Sequence, residues 1–186
     1  MIYNINDLDQ DHKDLISECL RRLPYGLKIL VDGFPVNMDF DVVAFNWLRD
    51  RLADIKPVLF PIDDLTNEIE FRGEKFIPLQ RIADLERGRV HLGDARILEK
   101  ASSEAPFFIA RYGTVDSYVG YKSTGAFIAS ESYVGIFTPY HQYQMFDLMD
   151  KYMIDYRGLI KRGLAVSVHD LVENPYKANK GKEKKS

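Results

Sequence analysis

The sequence predicts an α+β protein with a small, mostly antiparallel sheet, an N-terminal helix and a C-terminal amphipathic helix. Three observations carry that expectation. Leu15, Ile16, Cys19, Leu20 and Leu23 recur at three- and four-residue spacing, which draws one apolar stripe along a helix. Between residues 105 and 138 lie the β-branched and aromatic runs Phe107-Phe108-Ile109, Tyr118-Val119, Phe127-Ile128 and Tyr133-Val134-Gly135-Ile136-Phe137. Gly113, Gly125 and Ser/Thr pieces between them supply turns, so three or four antiparallel strands are expected. Met145, Phe146, Met149, Tyr152 and Met153 then mark the apolar side of a helix over 142–153. The strands cluster rather than alternate with helices, which argues against a doubly wound parallel sheet.

The remaining elements follow from local signals. Asp7, Asp9, Asp11 and Asp14 crowd the start of the first helix and Arg21 and Arg22 its end, both suited to the helix dipole; Pro24 and Gly26 stop it. A strand over 27–31 ends at Asp32-Gly33, and a second is expected over 40–45. Trp47, Leu48 and Leu52 begin a short helix. Residues 57–61 carry Pro at both ends and read as an edge or connector. A hairpin is expected over 68–77 around Arg72-Gly73, and a helix over 78–86 closed by Gly88. Residues 156–161 read as a short helical piece and 164–168 as a last strand.

The 186-residue chain is 46% hydrophobic, 12% aromatic and 28% charged, enough apolar surface for a sizeable core and too much for a disordered body. One α+β domain over 1–174 is expected, with a possible subdomain boundary near 101–105, followed by a basic disordered tail over 175–186. Residues 177–186 hold five Lys and one Glu, a net +4, against −3 for the whole chain, so the body is acidic. A solvated end is the plain reading of that tail; weak, non-specific contact with nucleic acid is the other. The start lacks the basic and apolar runs of a signal peptide, and the longest apolar stretch, Ala105 to Ala110, is far too short to span a bilayer. A single Cys excludes an intramolecular disulfide. A soluble cytoplasmic protein without a membrane partner is expected.

Catalytic motifs are missing. The sequence contains no phosphate-binding Gly loop, no G-x-S-x-G elbow, and neither H-E-x-x-H nor C-x-x-C. His12, His91, His141 and His169 are scattered, and Cys19 sits on the apolar stripe as a small core residue. Asp32, Asp39 and Asp41 are weak metal candidates, because Asp39 and Asp41 share a face of an extended strand. Asp54-x-Lys56 completes an acid–acid–Lys layout, but acid-x-Lys also occurs at Asp11/Lys13 and Glu183/Lys185, so the spacing carries little information. The strongest functional character lies in 112–143, which holds six of the eleven Tyr: Tyr112, Tyr118, Tyr121, Tyr133, Tyr140 and Tyr143. Tyr offers contact area, a hydroxyl and little entropy loss, so it suits binding surfaces and can stack a base; ordinary half-buried strand residues are the plain alternative. Candidate binding residues are Arg111, Tyr118, Tyr121, Lys122, Tyr133, Tyr140 and His141, with Arg111 and Lys122 meeting a phosphate or an acidic partner.

Several phrases occur together: Leu23-Pro24-Tyr25-Gly26-Leu27-Lys28, Ile55-Lys56-Pro57-Val58-Leu59-Phe60-Pro61, Asp63-Asp64-Leu65-Thr66, Gly73-Glu74-Lys75-Phe76-Ile77-Pro78, His141-Gln142-Tyr143-Gln144, Ile154-Asp155-Tyr156-Arg157-Gly158-Leu159-Ile160, Gly163-Leu164-Ala165 and Asn174-Pro175-Tyr176-Lys177. In this order the chain resembles a family of small hypothetical proteins from bacteriophages and prophages of gut bacteria, a family with no established activity. The resemblance is weakest over 87–135. It implies an accessory protein of a bacterial cytoplasm. With it, the leading expectation is a non-enzymatic module that binds a host protein. A nucleotide binder that sequesters a host defence signal and a metal-dependent enzyme using Asp32, Asp39 and Asp41 are the alternatives. No cofactor is expected.

Overall fold

The computed structural model describes residues 8–31, 33–38, 55–86, 95–101, 107–112, 117–131 and 133–177. The expected strand over 40–45, the helix at Trp47, the Gly88 stop, most of the 101–105 boundary and the tail from 178 lie outside them.

Helix α1 (Gln10–Arg22) begins where the Asp9 carboxylate accepts from the His12 N–H at 2.9 Å, satisfying one of the free donors of the first turn. Leu15, Ile16, Cys19 and Leu23 are buried as the stripe requires. Burial pushes the Cys19 thiol up to about 12, so it stays protonated in the core. A 3-10 turn (Leu23–Tyr25) and Gly26, at φ 69°, end the element.

Strand β1 (Lys28–Val31) turns back into β2 (Phe34–Asn37), and β3 (Lys56–Leu59) lies on its other side. The two-residue turn Arg72-Gly73, with φ 54° and 81°, joins β4 (Ile69–Phe71) to β5 (Glu74–Phe76). These are the two positive-φ positions of a type I′ hairpin turn. Helix α2 (Pro78–Ala83) follows, with Pro at its first position, and runs into a 3-10 turn (Asp84–Glu86).

The Tyr-rich stretch and the residues before it form an antiparallel sheet of five strands. They are β6 (Ala95–Ala101), β7 (Phe107–Tyr112), β8 (Ser117–Lys122), β9 (Ala126–Glu131) and β10 (Gly135–Phe137), paired in sequence order. Helix α3 (Gln142–Lys151) comes next. It ends with Met153 at φ 58° and the Ile154 N–H donating to the Met149 carbonyl at 2.9 Å. Glycine is the usual residue there; full burial of the Met153 side chain offsets its left-handed backbone. Strand β11 (Val166–Ser167) joins the first sheet, whose order is β11-β3-β1-β2.

The fold class is therefore α+β, as the sequence predicts. Helices α2 and α3 cover the inner face of the five-stranded sheet. One contiguous cluster of buried side chains runs from α1 through β3, α2 and α3 to that face.

Three local expectations are corrected. Residues 57–61 do not form an edge: β3 lies between β1 and β11. β1 pairs with Lys56 and Pro57, whereas β11 pairs only with Val58 and Leu59. The missing proline N–H thus falls where the strand has one neighbour. Residues 156–161 form turns rather than a helical piece. The Asp155 carboxylate accepts from the Leu159 and Ile160 N–H groups, each at 2.8 Å, and Gly158 takes φ 71°. Residues 175–177, expected to belong to the tail, pack with the fold. Tyr176 is 3% exposed, and its hydroxyl donates to the Val58 carbonyl at 2.7 Å while accepting from the Lys28 N–H at 3.1 Å. Its ring lies 5.3 Å from Phe71 and 5.9 Å from Phe60, and the Asn174 amide donates to the Glu70 carbonyl at 2.7 Å.

Ending the chain after Lys177 is expected to leave unfolding by urea unchanged. Ending it after Asn174 is expected to cost about 3–5 kcal/mol, the order of deleting a large buried aromatic. Tyr176→Phe is expected to cost about 1–3 kcal/mol, since it leaves a buried carbonyl without its donor.

Candidate functional site

A cleft of about 710 Å³ opens where α1, the β8–β9 turn, α3 and the 154–157 turn meet. Its floor is aromatic. Tyr121 is fully buried at the base, 5.0 Å from Phe127 and 6.3 Å from Phe146 between ring centroids, and its hydroxyl donates to the Tyr156 carbonyl at 3.3 Å. Phe146 lies 5.4 Å from the Tyr156 ring. Tyr143 stands at the mouth, 88% exposed. Ser123, Thr124 and Gly125 form one lip, Asp147 and Asp150 one wall, and Arg21 and Arg157 another.

Beneath the cleft lies a buried ion cluster. Arg22 is 0% exposed; its guanidinium meets the Glu18 carboxylate, lies 3.2 Å from Asp150 and donates to the Ile154 carbonyl at 2.9 Å. Arg21 also meets Glu18, and Arg157 lies 3.4 Å from the same carboxylate. Arg21, Arg22 and Arg157 surround the Tyr156 ring at 5.4–6.0 Å, and the Tyr156 hydroxyl donates to Asp150 at 3.1 Å. The Tyr25 hydroxyl donates to Asp147. Each carboxylate therefore has a fixed donor, and Arg157, half-exposed, is the most accessible of the three guanidiniums. Such an arrangement offers stacking surface, charge-assisted donors and acceptors within one concavity.

The sequence-predicted site residues do not come together. Only Tyr121 lines the cleft. Arg111, Tyr118 and Lys122 belong to the opposite face of the sheet, because positions 118 and 121 are an odd number of residues apart and side chains alternate along a strand. There the Arg111 guanidinium sits 5.7 Å from the Tyr118 ring, its cross-strand partner, and Phe107 meets Tyr118 edge-on at 5.9 Å. Gly120 makes room for Phe107: a Cβ would lie 2.5 Å from that ring. Tyr133 and Tyr140 are exposed beside β10. The His141 backbone N–H donates to the buried Glu86 carboxylate at 2.8 Å and its ring nitrogen lies 3.0 Å from the same oxygen, so this residue ties α3 to the end of α2. Asp32, Asp39 and Asp41 lie outside the described residues. Among the described residues no group of three or more His, Cys, Asp or Glu is placed to hold a metal ion.

Sequence reasoning missed Glu18, Arg21, Asp150, Tyr156 and Arg157. Two signals were present: Glu18 and Arg22 stand four apart beside the apolar stripe of α1, and Asp147 and Asp150 flank the stripe of α3. No family model, curated protein or solved structure matches the chain.

The tyrosines set an alkaline limit. The hydrogen bond to Asp147 holds Tyr25 up to about 12, and burial raises Tyr121 to about 12. An unfolded Tyr ionises near pH ~10. Both folded values are raised, so this stabilisation is fully present below pH ~10 and is lost as pH climbs toward 12. Urea unfolding at a series of pH values should show a plateau to pH ~10 and a decline above it, with a shallower decline in Tyr121→Phe.

Proposed function

We propose that the protein is a non-enzymatic binding module whose cleft takes a small molecule combining an aromatic ring with an anionic group, the chemistry of a nucleotide. The observation that carries this reading is the convergence of Tyr121, Tyr143, Tyr156 and Phe146 with Arg21 and Arg157 in one cleft. A ring stacks on the aromatic surface, the guanidiniums face the anion, and Asp147, Asp150 and the Ser123 and Thr124 hydroxyls serve ring N–H and sugar hydroxyl groups. No helix of the described residues is long and apolar enough to cross a membrane. The setting that accompanies the proposal is a bacterial cytoplasm, with a phage or prophage accessory protein sequestering a nucleotide signal of host defence.

Thermal unfolding across a panel of linear and cyclic mono- and dinucleotides tests the reading. At least one is expected to raise the melting temperature, and Arg157→Ala is expected to weaken it about tenfold, the scale of one charge-assisted hydrogen bond. A flat panel would overturn it.

One surface favours a second reading, a host-protein partner. Tyr133, Val134, Ile136 and Tyr140 are 98%, 67%, 70% and 69% exposed along β10, the edge strand of its sheet among the described residues. An edge strand carrying apolar side chains is a template for pairing with another chain. Under this reading, a host protein recovered with the wild type is lost with Ile136→Asp, while nucleotide binding is unaffected.

A further inference from the structure

The two carboxylates of the cleft wall differ in how much of their hydrogen-bonding capacity the fold already uses. Asp150 is 7% exposed. It accepts from the Tyr156 hydroxyl at 3.1 Å and lies 3.2 Å from the Arg22 guanidinium and 3.9 Å from that of Arg21. It is committed to the ion cluster beneath. Asp147, earlier on α3, is exposed, and the Tyr25 hydroxyl is its hydrogen-bond donor among the described residues. An ionised carboxylate offers about four acceptor positions on its two oxygens. Tyr25 fills one of them and fixes the direction of the group. That donor is neutral, so the charge stays available to a ligand.

Asp147 stands four residues after Tyr143, and side chains so spaced are neighbours on a helix surface. Both line the cleft, with Tyr143 at its mouth. A flat ring stacked on Tyr143 presents an edge to the Asp147 carboxylate. That edge must carry donors, because a carboxylate only accepts. Two adjacent donors suit it best, one for each oxygen. Among the common nucleobases only guanine has that pattern, a ring N–H beside an exocyclic amino group. Adenine and cytosine place a ring-nitrogen lone pair beside the amino group, and the lone pair would face the negative charge. Uracil and thymine flank their ring N–H with two carbonyl oxygens. Among the described lining residues none is Asn or Gln, the side chains that pair with adenine through a donor and an acceptor together. Arg157, on another wall, is left for the phosphate.

Given the nucleotide reading of the cleft, on which this rests, we infer that the ligand is a guanine nucleotide and that Asp147 selects the base, its two oxygens accepting from the guanine ring N–H and amino group. A site that hydrogen-bonds both donors rejects a base that lacks them, because the carboxylate is then covered by a group that cannot pair with it. Tyr25 is a positioning residue here: it touches the carboxylate, not the base.

Isothermal titration calorimetry of the full chain with GMP, IMP, AMP and CMP, and with the cyclic mono- and dinucleotides of guanine and adenine, tests this. Guanine forms are expected to bind at least about tenfold more tightly than the matched adenine forms, the scale of one bidentate contact. IMP keeps the ring N–H and lacks the amino group, so it is expected to fall between GMP and AMP. In Asp147→Asn the side-chain oxygen still accepts from Tyr25, so the melting temperature is expected to hold while the guanine preference falls below about threefold. Adenine or cytosine forms that bind as tightly as guanine forms, IMP that matches GMP, or a guanine preference that survives Asp147→Asn would overturn the base assignment and leave the nucleotide cleft standing. Silence from every nucleotide would overturn both.

Discussion

Arg22 sits at the last turn of α1 with no solvent exposure, and its guanidinium joins Glu18 of its own helix, Asp150 of α3 and the carbonyl of Ile154. Removing a guanidinium from water is costly, and the attraction compensates only where the geometry is complete. Here the pairing constrains three segments at once. It sets the separation of α1 and α3, anchors the turn that leaves α3, and holds Asp150 where it accepts from Tyr156. The cleft is the space left between elements so fixed. Its acidic wall is therefore structural, with carboxylates already oriented by the fold.

The same economy of contacts governs the rest of the core. Phe60 extends β3 through hydrogen bonds to the Met153 carbonyl and the Asp155 N–H, so the parallel bridge at Ile154 ties the end of α3 to the smaller sheet. Asp155 then uses its carboxylate to organise the turn that carries Arg157 into the cleft. Tyr176 closes the other side, joining β1, β3 and the β4–β5 hairpin through its hydroxyl and ring. Phrases such as Ile154-Asp155-Tyr156-Arg157-Gly158 and Asn174-Pro175-Tyr176 thus have structural work that accounts for their residues, and two of those residues also face the cleft.

The five-stranded sheet separates two chemistries. Its inner face, with Phe108, Ala110, Val119, Tyr121, Phe127 and Ala129, belongs to the core and floors the cleft. Its outer face carries the Arg111–Tyr118 pair and the Phe107 ring over Gly120. The tyrosines counted together in sequence are divided by the pleat, and those beyond β9 by the loops that present them.

The sequence by itself determined helices α1, α2 and α3, the β4–β5 hairpin and the strand-rich centre, because stripe spacing, caps and turn residues act over a few neighbours. It also determined that Cys19, Met145 and Met149 are core residues. Strand parity within 111–122 was legible too, and would have parted Tyr118 from Tyr121. Only the tertiary structure decided that β3 is an inside strand, that Tyr176 belongs to the core and that Glu18, Arg22 and Asp150 form one buried cluster. Those facts depend on partners more than 100 residues apart, as in Arg22 with Ile154 or Tyr176 with Val58. Local pattern carries no information about such pairings; they follow from which surfaces can be buried together once the elements exist.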